Sequence, residues 1–256
     1  MKAKSVLLGL SIVLLATTSA LAVPTHLTVR VKAKDAKFVG TSMGGALITI
    51  SDGLTGEVLI TGRTAGGTGD TTRIMKTPVA RGAPMSDETA ADFSATLDLD
   101  EPRLIEVSAY GPLANRQAAN RVSATQWVVP GKHITGGDAW MLELSGFAVD
   151  VQAPATHTQL KGLPQAVTLQ ANVTMMCGCP LTPGGVWDAS KMEVSALLRK
   201  DGKRVGILPL EYAGTSSQFS ATWQVRETGV YEAMVYAYDP ANGNTGVDSV
   251  TFIVRQ

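Results

Sequence analysis

Short runs of alternating apolar and polar residues, separated by turn residues, are the feature that most restricts the fold of this chain. His26 to Lys32 alternates in this way, and further β-prone runs flank the dipeptides Asp52-Gly53 and Asp201-Gly202. Because Gly tolerates positive φ, Asp-Gly between two such runs is typical of a β-hairpin. Convincing amphipathic helices are absent from the sequence, so the pattern predicts an all-β protein.

An internal repeat predicts how the strands are grouped. Phe93-Ser-Ala-Thr96 recurs as Phe219-Ser-Ala-Thr222, and the stretch from Ala109 to Asn115 resembles the stretch from Ala237 to Asn242 in the same order. Each half contains about seven short strands with turn signals between them, which is the pattern of a two-sheet sandwich. We therefore expect two tandem β-sandwiches, over residues 23–150 and 151–256.

The two copies differ in where they carry extra residues. The first has a long inserted loop, about residues 64–92, between its Asp-Gly turn and its Phe-Ser-Ala-Thr strand. The second has an insertion earlier, from Cys177 to Lys191. Long loops of this kind often carry function.

The second half also resembles a known family. Gly229-Val-Tyr231, the run from Val235 to Gly246 and the strand from Val250 to Val254 are similar to the last two strands of bacterial immunoglobulin-like domains. The first half is more weakly similar to transthyretin-like (carboxypeptidase-regulatory-like) modules, through Ala46 to Asp52 and Thr55 to Leu59. These resemblances imply immunoglobulin-like and transthyretin-like sandwiches, and no catalytic residues accompany them.

The N-terminal segment predicts export. Lys2 and Lys4 precede an apolar run from Val6 to Ala16, and small residues end in Ala20-Leu21-Ala22. This is the plan of a cleaved signal peptide over residues 1–22. We therefore expect a periplasmic or secreted protein, without a membrane span in the mature chain, in a compartment that permits disulfides.

Composition and motifs exclude several functions. Lys plus Arg and Asp plus Glu each number 22, and this balance gives no electrostatic basis for a nucleic-acid partner. Gly40-Thr-Ser-Met-Gly44 matches G-x-S-x-G, but a strand rather than a helix follows it and no base is in a recognisable context. We interpret it as a Gly-rich bend. No nucleophile–base pair or paired carboxylate stands out, so the sequence does not indicate an enzyme.

Both cysteines of the protein lie in the segment Met175-Met176-Cys177-Gly178-Cys179-Pro180. Thiolate and thioether are soft donors that favour Cu(I), so Met175, Met176, Cys177 and Cys179 are candidate copper ligands. A strained, redox-active disulfide between the two cysteines is a second interpretation. In the third, an oxidised pair holds a loop and the methionines pack in the core.

A polar cluster beside an aromatic residue is the candidate partner-binding site. It comprises Asn115, Arg116, Asn120, Arg121 and Trp127. Amide and guanidinium groups next to a Trp suit contacts with a protein or a carbohydrate. The alternative is a solvated hairpin with Trp127 buried on its strand.

These observations favour an exported, non-enzymatic binding or assembly module that presents loops of two β-sandwiches to a protein or glycan partner. The competing hypothesis is copper binding or thiol redox chemistry at the Met-Met-Cys-Gly-Cys-Pro loop, with copper as the one cofactor that the sequence indicates.

Overall fold

The computed structural model describes residues 21–256, so the predicted signal peptide lies outside the described residues except for Leu21 and Ala22. Strands dominate the described part of the chain, and helical structure is confined to short turns at Thr41–Met43, Thr72–Lys76 and Ala189–Lys191. The predicted all-β class is therefore confirmed.

The first sandwich is built from seven strands. They are β1 (Val23–Ala33), β2 (Leu47–Asp52), β3 (Val58–Arg63), β4 (Phe93–Leu99), β5 (Arg103–Gly111), β6 (Asn120–Val128) and β7 (Trp140–Leu144). One sheet has the order β4-β1-β7 and the other has the order β3-β2-β5-β6. β1 is antiparallel to β4 but parallel to β7.

The second sandwich contains the remaining strands. They are β8 (Phe147–Ala153), β9 (Thr158–Lys161), β10 (Gln165–Met175), β11 (Glu193–Lys200), β12 (Lys203–Pro209), β13 (Glu211–Tyr212), β14 (Gln218–Val225), β15 (Gly229–Tyr238) and β16 (Thr245–Arg255). The sheet β13-β14-β10-β8 accompanies the sheet β12-β11-β15-β16-β9. This is the order of the immunoglobulin fold, in which strands A-B-E-D face C′-C-F-G.

The sequence repeat is also a repeat of topology. Phe93 opens β4 beside β1, and Phe219 lies at the start of β14 beside β10. The hairpins β2-β3 and β11-β12 correspond in the same way. The copies differ in the second neighbour of the equivalent strands β1 and β10. In the first copy this neighbour is the last strand, β7, and in the second copy it is the first strand, β8. The prediction of two tandem sandwiches is thus confirmed.

The two Asp-Gly hairpins close differently. Asp201 and Gly202 both have positive φ, at 48° and 78°, and form the two-residue turn between β11 and β12. In the β2-β3 hairpin, the Asp52 carboxylate accepts hydrogen bonds from the amides of Leu54 and Thr55, at 2.9 and 2.8 Å. These bonds and Arg103 hold the pKa of Asp52 below its ordinary value, although desolvation opposes them.

The segment 64–92 lies between β3 and β4 and packs on the sandwich through a small core of its own. Phe38, Ile74 and Ala90 are buried together there. The Asp138 carboxylate accepts the amides of Met85 and Ser86, at 3.0 and 2.7 Å. The insertion is therefore attached to the sandwich by apolar packing and by charge-assisted hydrogen bonds.

The chain passes from one sandwich to the other at Ser145-Gly146. The predicted boundary between residues 150 and 151 falls inside β8, which pairs with β10 from Phe147 onward. Buried side chains of both halves form one continuous apolar core. Buried Asn244 reinforces the junction: its carbonyl accepts from the Gly146 amide at 3.0 Å, and its Nδ2 donates to the Lys34 carbonyl at 3.2 Å.

Candidate functional site

The predicted partner-binding residues lie on the β5-β6 hairpin, in two places. Asn115 and Arg116 lie in its loop, and Asn120 follows at the start of β6, opposite Gly111. Trp127 lies opposite Leu104 at the other end of β6. Seven strand steps separate Asn120 from Trp127, a distance of roughly 23 Å. The structure therefore brings the polar residues together but does not place Trp127 beside them.

The polar end of the hairpin is partly engaged within the molecule. Asn120 Nδ2 donates to the Ser145 carbonyl at 2.7 Å. Arg121 donates to Ser108 Oγ at 3.3 Å, and its guanidinium lies 5.7 Å from the centre of the Tyr110 ring. Arg116 is exposed, while Asn115 is half-buried. Arg116 is thus the polar member of the set that is most available to a partner.

Trp127 is exposed rather than buried on its strand. Its exposed fraction is 60%, and it is the only exposed Phe, Tyr or Trp among residues 21–256. Val128, the next residue, is buried, as expected when alternate side chains point to opposite faces. Trp127 and Arg121 therefore share the outer face of β6.

β6 is a free edge strand, and the register shows which of its backbone groups are free. The Gly53 amide donates to the Leu104 carbonyl at 2.8 Å, so the backbone of Leu104 faces β2. The N–H and C=O groups of successive residues point to opposite sides of a strand. Those of Ile105 therefore point to β6, and those of its partner Gln126 point to β5. By the same alternation, the residues that face the free edge are Arg121, Ser123, Thr125 and Trp127.

The edge of β6 lacks the usual protection against pairing. Seven of its nine residues are exposed, and the stretch from Val122 to Val129 contains no charged residue and no Pro. Within residues 21–256, β5 is the only strand that pairs with β6. Lysine, proline or a covering loop commonly blocks such an edge, so β6 presents an open template for an added strand.

The Met-Met-Cys-Gly-Cys-Pro loop forms a tight turn at the end of β10. The Gly178 amide donates to the Met175 carbonyl at 2.7 Å, and the Met175 amide donates to the Cys179 carbonyl at 3.0 Å. Gly178 has a φ of +78°, which a side chain would disfavour. This turn places Cys177 and Cys179 on either side of Gly178.

The two thiols are free and buried, and their acidities differ. The exposed fractions are 1% for Cys177 and 5% for Cys179. The hydrogen bond from Cys179 lowers the pKa of Cys177 to about 7 against the effect of burial, and the Lys37 amide and ammonium group act in the same direction. The same hydrogen bond and burial raise the pKa of Cys179. Since reactive thiols are partly exposed, this burial does not favour exchange with an external dithiol.

Two residues beside the thiols were missed in the sequence. Lys37 and Met43 both come from the β1-β2 connection of the first sandwich. A Cβ on Gly178 would lie 2.7 Å from Met43 Sδ, so this thioether lies directly against the cysteine turn. Met175 and Met176 are fully buried nearby in sequence. Met43 follows Ser42 in the Gly-rich bend, and no local signal connects it with a loop far along the chain.

The insertions of the two copies meet in a cleft of about 700 Å³. Met75 comes from the first insertion and Trp187 from the second, Met192 directly follows the second insertion, and Asp239 and Pro240 come from the loop before β16. The Trp187 indole also donates to the Asp35 carbonyl at 2.8 Å across the junction. The cleft therefore lies between the two insertions. Asp35, Asp188, Lys191 and Asp239 also line it, but no three acidic side chains among the described residues are arranged to hold a metal ion.

Known proteins provide no functional assignment. No family model matches the chain, and no curated protein matches it. A structure described as an engineered protein is 17% identical over 50% of this chain and 24% of that chain, with a TM-score of 0.32. A chimeric titin Z1Z2 carrying a peptide from decorin is 12% identical over 93% of this chain and 99% of that one, with a TM-score of 0.25.

Two features of residues 21–256 bear on the competing hypotheses. No helix in this range is both long and apolar enough to cross a membrane. No group of three or more His, Cys, Asp and Glu side chains in this range is arranged to hold a metal ion. A metal site in the described residues would therefore depend on thioether sulfur in addition to the two thiols.

Proposed function

We propose that this protein is an exported, non-enzymatic binding module that captures an extended segment of a protein partner along β6. The observation that carries the proposal is the exposed Trp127 on an edge strand that has no charged residue from Val122 to Val128 and, among the described residues, no strand on its outer side. An added strand would gain backbone hydrogen bonds at Arg121, Ser123, Thr125 and Trp127, which is the basis of β-strand addition.

The side chains on the outer face of β6 would provide selectivity. Trp127 supplies a large aromatic anchor at one end, and aromatic residues are enriched among the residues that dominate binding energy. Arg121 and Arg116 supply positive charge at the other end. We infer a partner segment with an apolar residue near one end and an acidic residue near the other.

The proposal also includes export of the protein and the assignment of each sandwich to one of the two families that it resembles. Export is supported by the sequence of residues 1–22. The strand order of the second sandwich supports its assignment to bacterial immunoglobulin-like domains. The resemblance of the first sandwich to transthyretin-like modules is supported by the stretches Ala46 to Asp52 and Thr55 to Leu59, which contribute to its β2-β3 hairpin.

The test compares two exposed threonines on the opposite edge strands of one sheet. Thr125 is an exposed residue of β6, and Thr61 is an exposed residue of the other edge strand, β3. Both direct their amides to a free edge by the alternation described above. Thr125→Pro therefore blocks strand addition at β6 without removing a bond to β5, and Thr61→Pro is the matched control.

The mature protein and its variants are immobilised and exposed to the exported protein fraction of the source cells, and captured chains are identified by mass spectrometry. We expect one protein to be retained by the wild type and by Thr61→Pro, and lost with Thr125→Pro and Trp127→Ala. In the purified complex, hydrogen exchange should slow at Ser123 and Thr125. Equal capture by all four proteins, or capture of a glycan alone, would overturn the proposal.

A further inference from the structure

The turn between β10 and the second insertion holds an unusual concentration of sulfur. Two free, buried thiols flank Gly178, and the Met43 thioether lies against the same glycine. Cys177 and Cys179 belong to the second sandwich, whereas Met43 belongs to the first. The cysteine turn of the second sandwich therefore packs against a thioether of the first, across the junction of the two sandwiches.

We propose that Cys177, Cys179 and Met43 bind one Cu(I) ion, which links the two sandwiches. Thiolate and thioether ligands select Cu(I) over harder ions, which prefer carboxylate and water. The described residues offer no third His, Cys, Asp or Glu to complete a site for such an ion. Met43 replaces Met175 and Met176 as the expected thioether ligand, because it lies against the glycine between the two cysteines.

The charge balance of this site is favourable. Binding forms two Cu–S bonds to thiolates and one to the thioether. The two S–H bonds break, their protons leave to solvent, and the copper stays Cu(I). Cu(I) with two thiolates and one neutral thioether has a net charge of −1. Lys37, from the β1-β2 connection, supplies a positive charge near the two thiols, so a buried negative charge would have a compensating partner.

Burial determines how such a site would behave. Cys179 and Met43 are 5% and 8% exposed, so a bound ion would be shielded from water and from oxidants. Entry would then require a small opening between the sandwiches, and release would be slow. This behaviour suits a site that holds copper and stabilises the junction, rather than one that exchanges electrons with a partner.

The experiment measures Cu(I) affinity of the reduced mature protein under anaerobic conditions, by competition with bicinchoninate. We expect one ion per chain and a sulfur-only shell of three ligands by copper X-ray absorption. Cys177→Ser and Cys179→Ser should abolish binding. Met43→Leu, which conserves volume, should lower the affinity about 10- to 100-fold, the range found when a metal site loses a supporting group.

Met192→Leu is the matched control, because Met192 lines the cleft rather than the cysteine turn. It should leave the affinity unchanged, and circular dichroism checks that each variant is folded. Unchanged affinity in Met43→Leu, or equal losses in Met43→Leu and Met192→Leu, would overturn the three-sulfur site. Absence of Cu(I) binding by the reduced wild type would overturn the proposal altogether. Neither result would affect strand capture at β6, which the threonine variants test separately.

Discussion

Thr64 shows how a single buried hydroxyl connects two segments of the first sandwich. The side chain is 1% exposed, accepts a hydrogen bond from the Ala46 amide at 2.9 Å and donates one to the Val39 carbonyl at 3.0 Å. Val has nearly the same shape but cannot make either bond. The backbone groups of Ala46 and Val39 would then lose this partner.

We therefore expect Thr64→Val to lower the free energy of unfolding by about 1–3 kcal/mol, measured by urea denaturation. Thr64→Ser retains the hydroxyl and should lose less. Similar losses in the two variants would show that packing of the methyl group, rather than the hydrogen bonds, determines the effect.

Asp138 should make the attachment of the 64–92 insertion dependent on pH. Burial raises the pKa of Asp138, but hydrogen bonds from Met85 and Ser86 outweigh it and hold the pKa below the ordinary value of 3.8. A depressed pKa means that the carboxylate stabilises the fold fully above pH 3.8. That stabilisation is lost as the pH falls through the folded-state pKa.

Asp138→Asn should therefore destabilise the protein at neutral pH, by about 1 kcal/mol at this half-exposed position, and reduce the loss of stability on acidification. Urea denaturation of both proteins, at neutral pH and well below pH 3.8, measures the difference. An identical acid-dependent loss in wild type and variant would assign that loss to other carboxylates.

The sequence predicted single residues best where their conformation depends on adjacent residues alone. The turn at Asp201-Gly202 depends on the conformations open to Gly and Asp, and it forms as predicted. The exposure of Trp127 was left open, because its strand pattern does not show which face has a partner sheet. Met43 could not be assigned, since its contact with Gly178 depends on the packing of two separate sandwiches.

At the scale of the element, the alternation along β6 predicts unequal losses of stability for proline substitutions at two adjacent residues. Ala124 directs its amide to β5, because it pairs with Val107, and Thr125 directs its amide to the free edge. Ala124→Pro removes a ladder hydrogen bond, whereas Thr125→Pro removes none.

We expect Ala124→Pro to lower the free energy of unfolding by about 1–3 kcal/mol and Thr125→Pro to cause a much smaller change, both measured by urea denaturation. The reverse order would mean that the hydrogen-bond register of β5 and β6 is shifted by one residue, and that a different set of β6 amides faces the free edge.

Sequence patterns predicted the strands better than they predicted the order of the strands in the sheets. Alternation and turn residues indicated the hairpins, and the repeated Phe-Ser-Ala-Thr segment indicated equivalent strands. The position of β7 beside β1 had no sequence signal, because both sandwiches contain strands of similar composition. For the same reason, the predicted boundary at residue 150 lies within β8 rather than at the Ser145-Gly146 junction.

At the scale of the whole molecule, the shared core and Asn244 should make the two sandwiches unfold together. Asn244→Ala removes the bonds to Gly146 and Lys34 across the junction. We expect wild type to show one calorimetric transition and Asn244→Ala to show two, or one transition that is clearly broadened.

Gln170→Ala is the control for this prediction, because Gln170 bonds to Gln218 inside the second sandwich, at 3.1 Å. It should lower the melting temperature without separating the transitions. Two transitions in the wild type would show that the continuous core does not couple the sandwiches.

The parallel pairs of strands have a mechanical consequence. β1 and β7 are the first and last strands of the first sandwich and run parallel, and β9 runs parallel to the final strand, β16, in the second. A force that pulls the ends of the chain apart acts along these pairs rather than across them. Their hydrogen bonds then carry the load together and must break together. Both sandwiches are therefore arranged to resist tension applied along the chain.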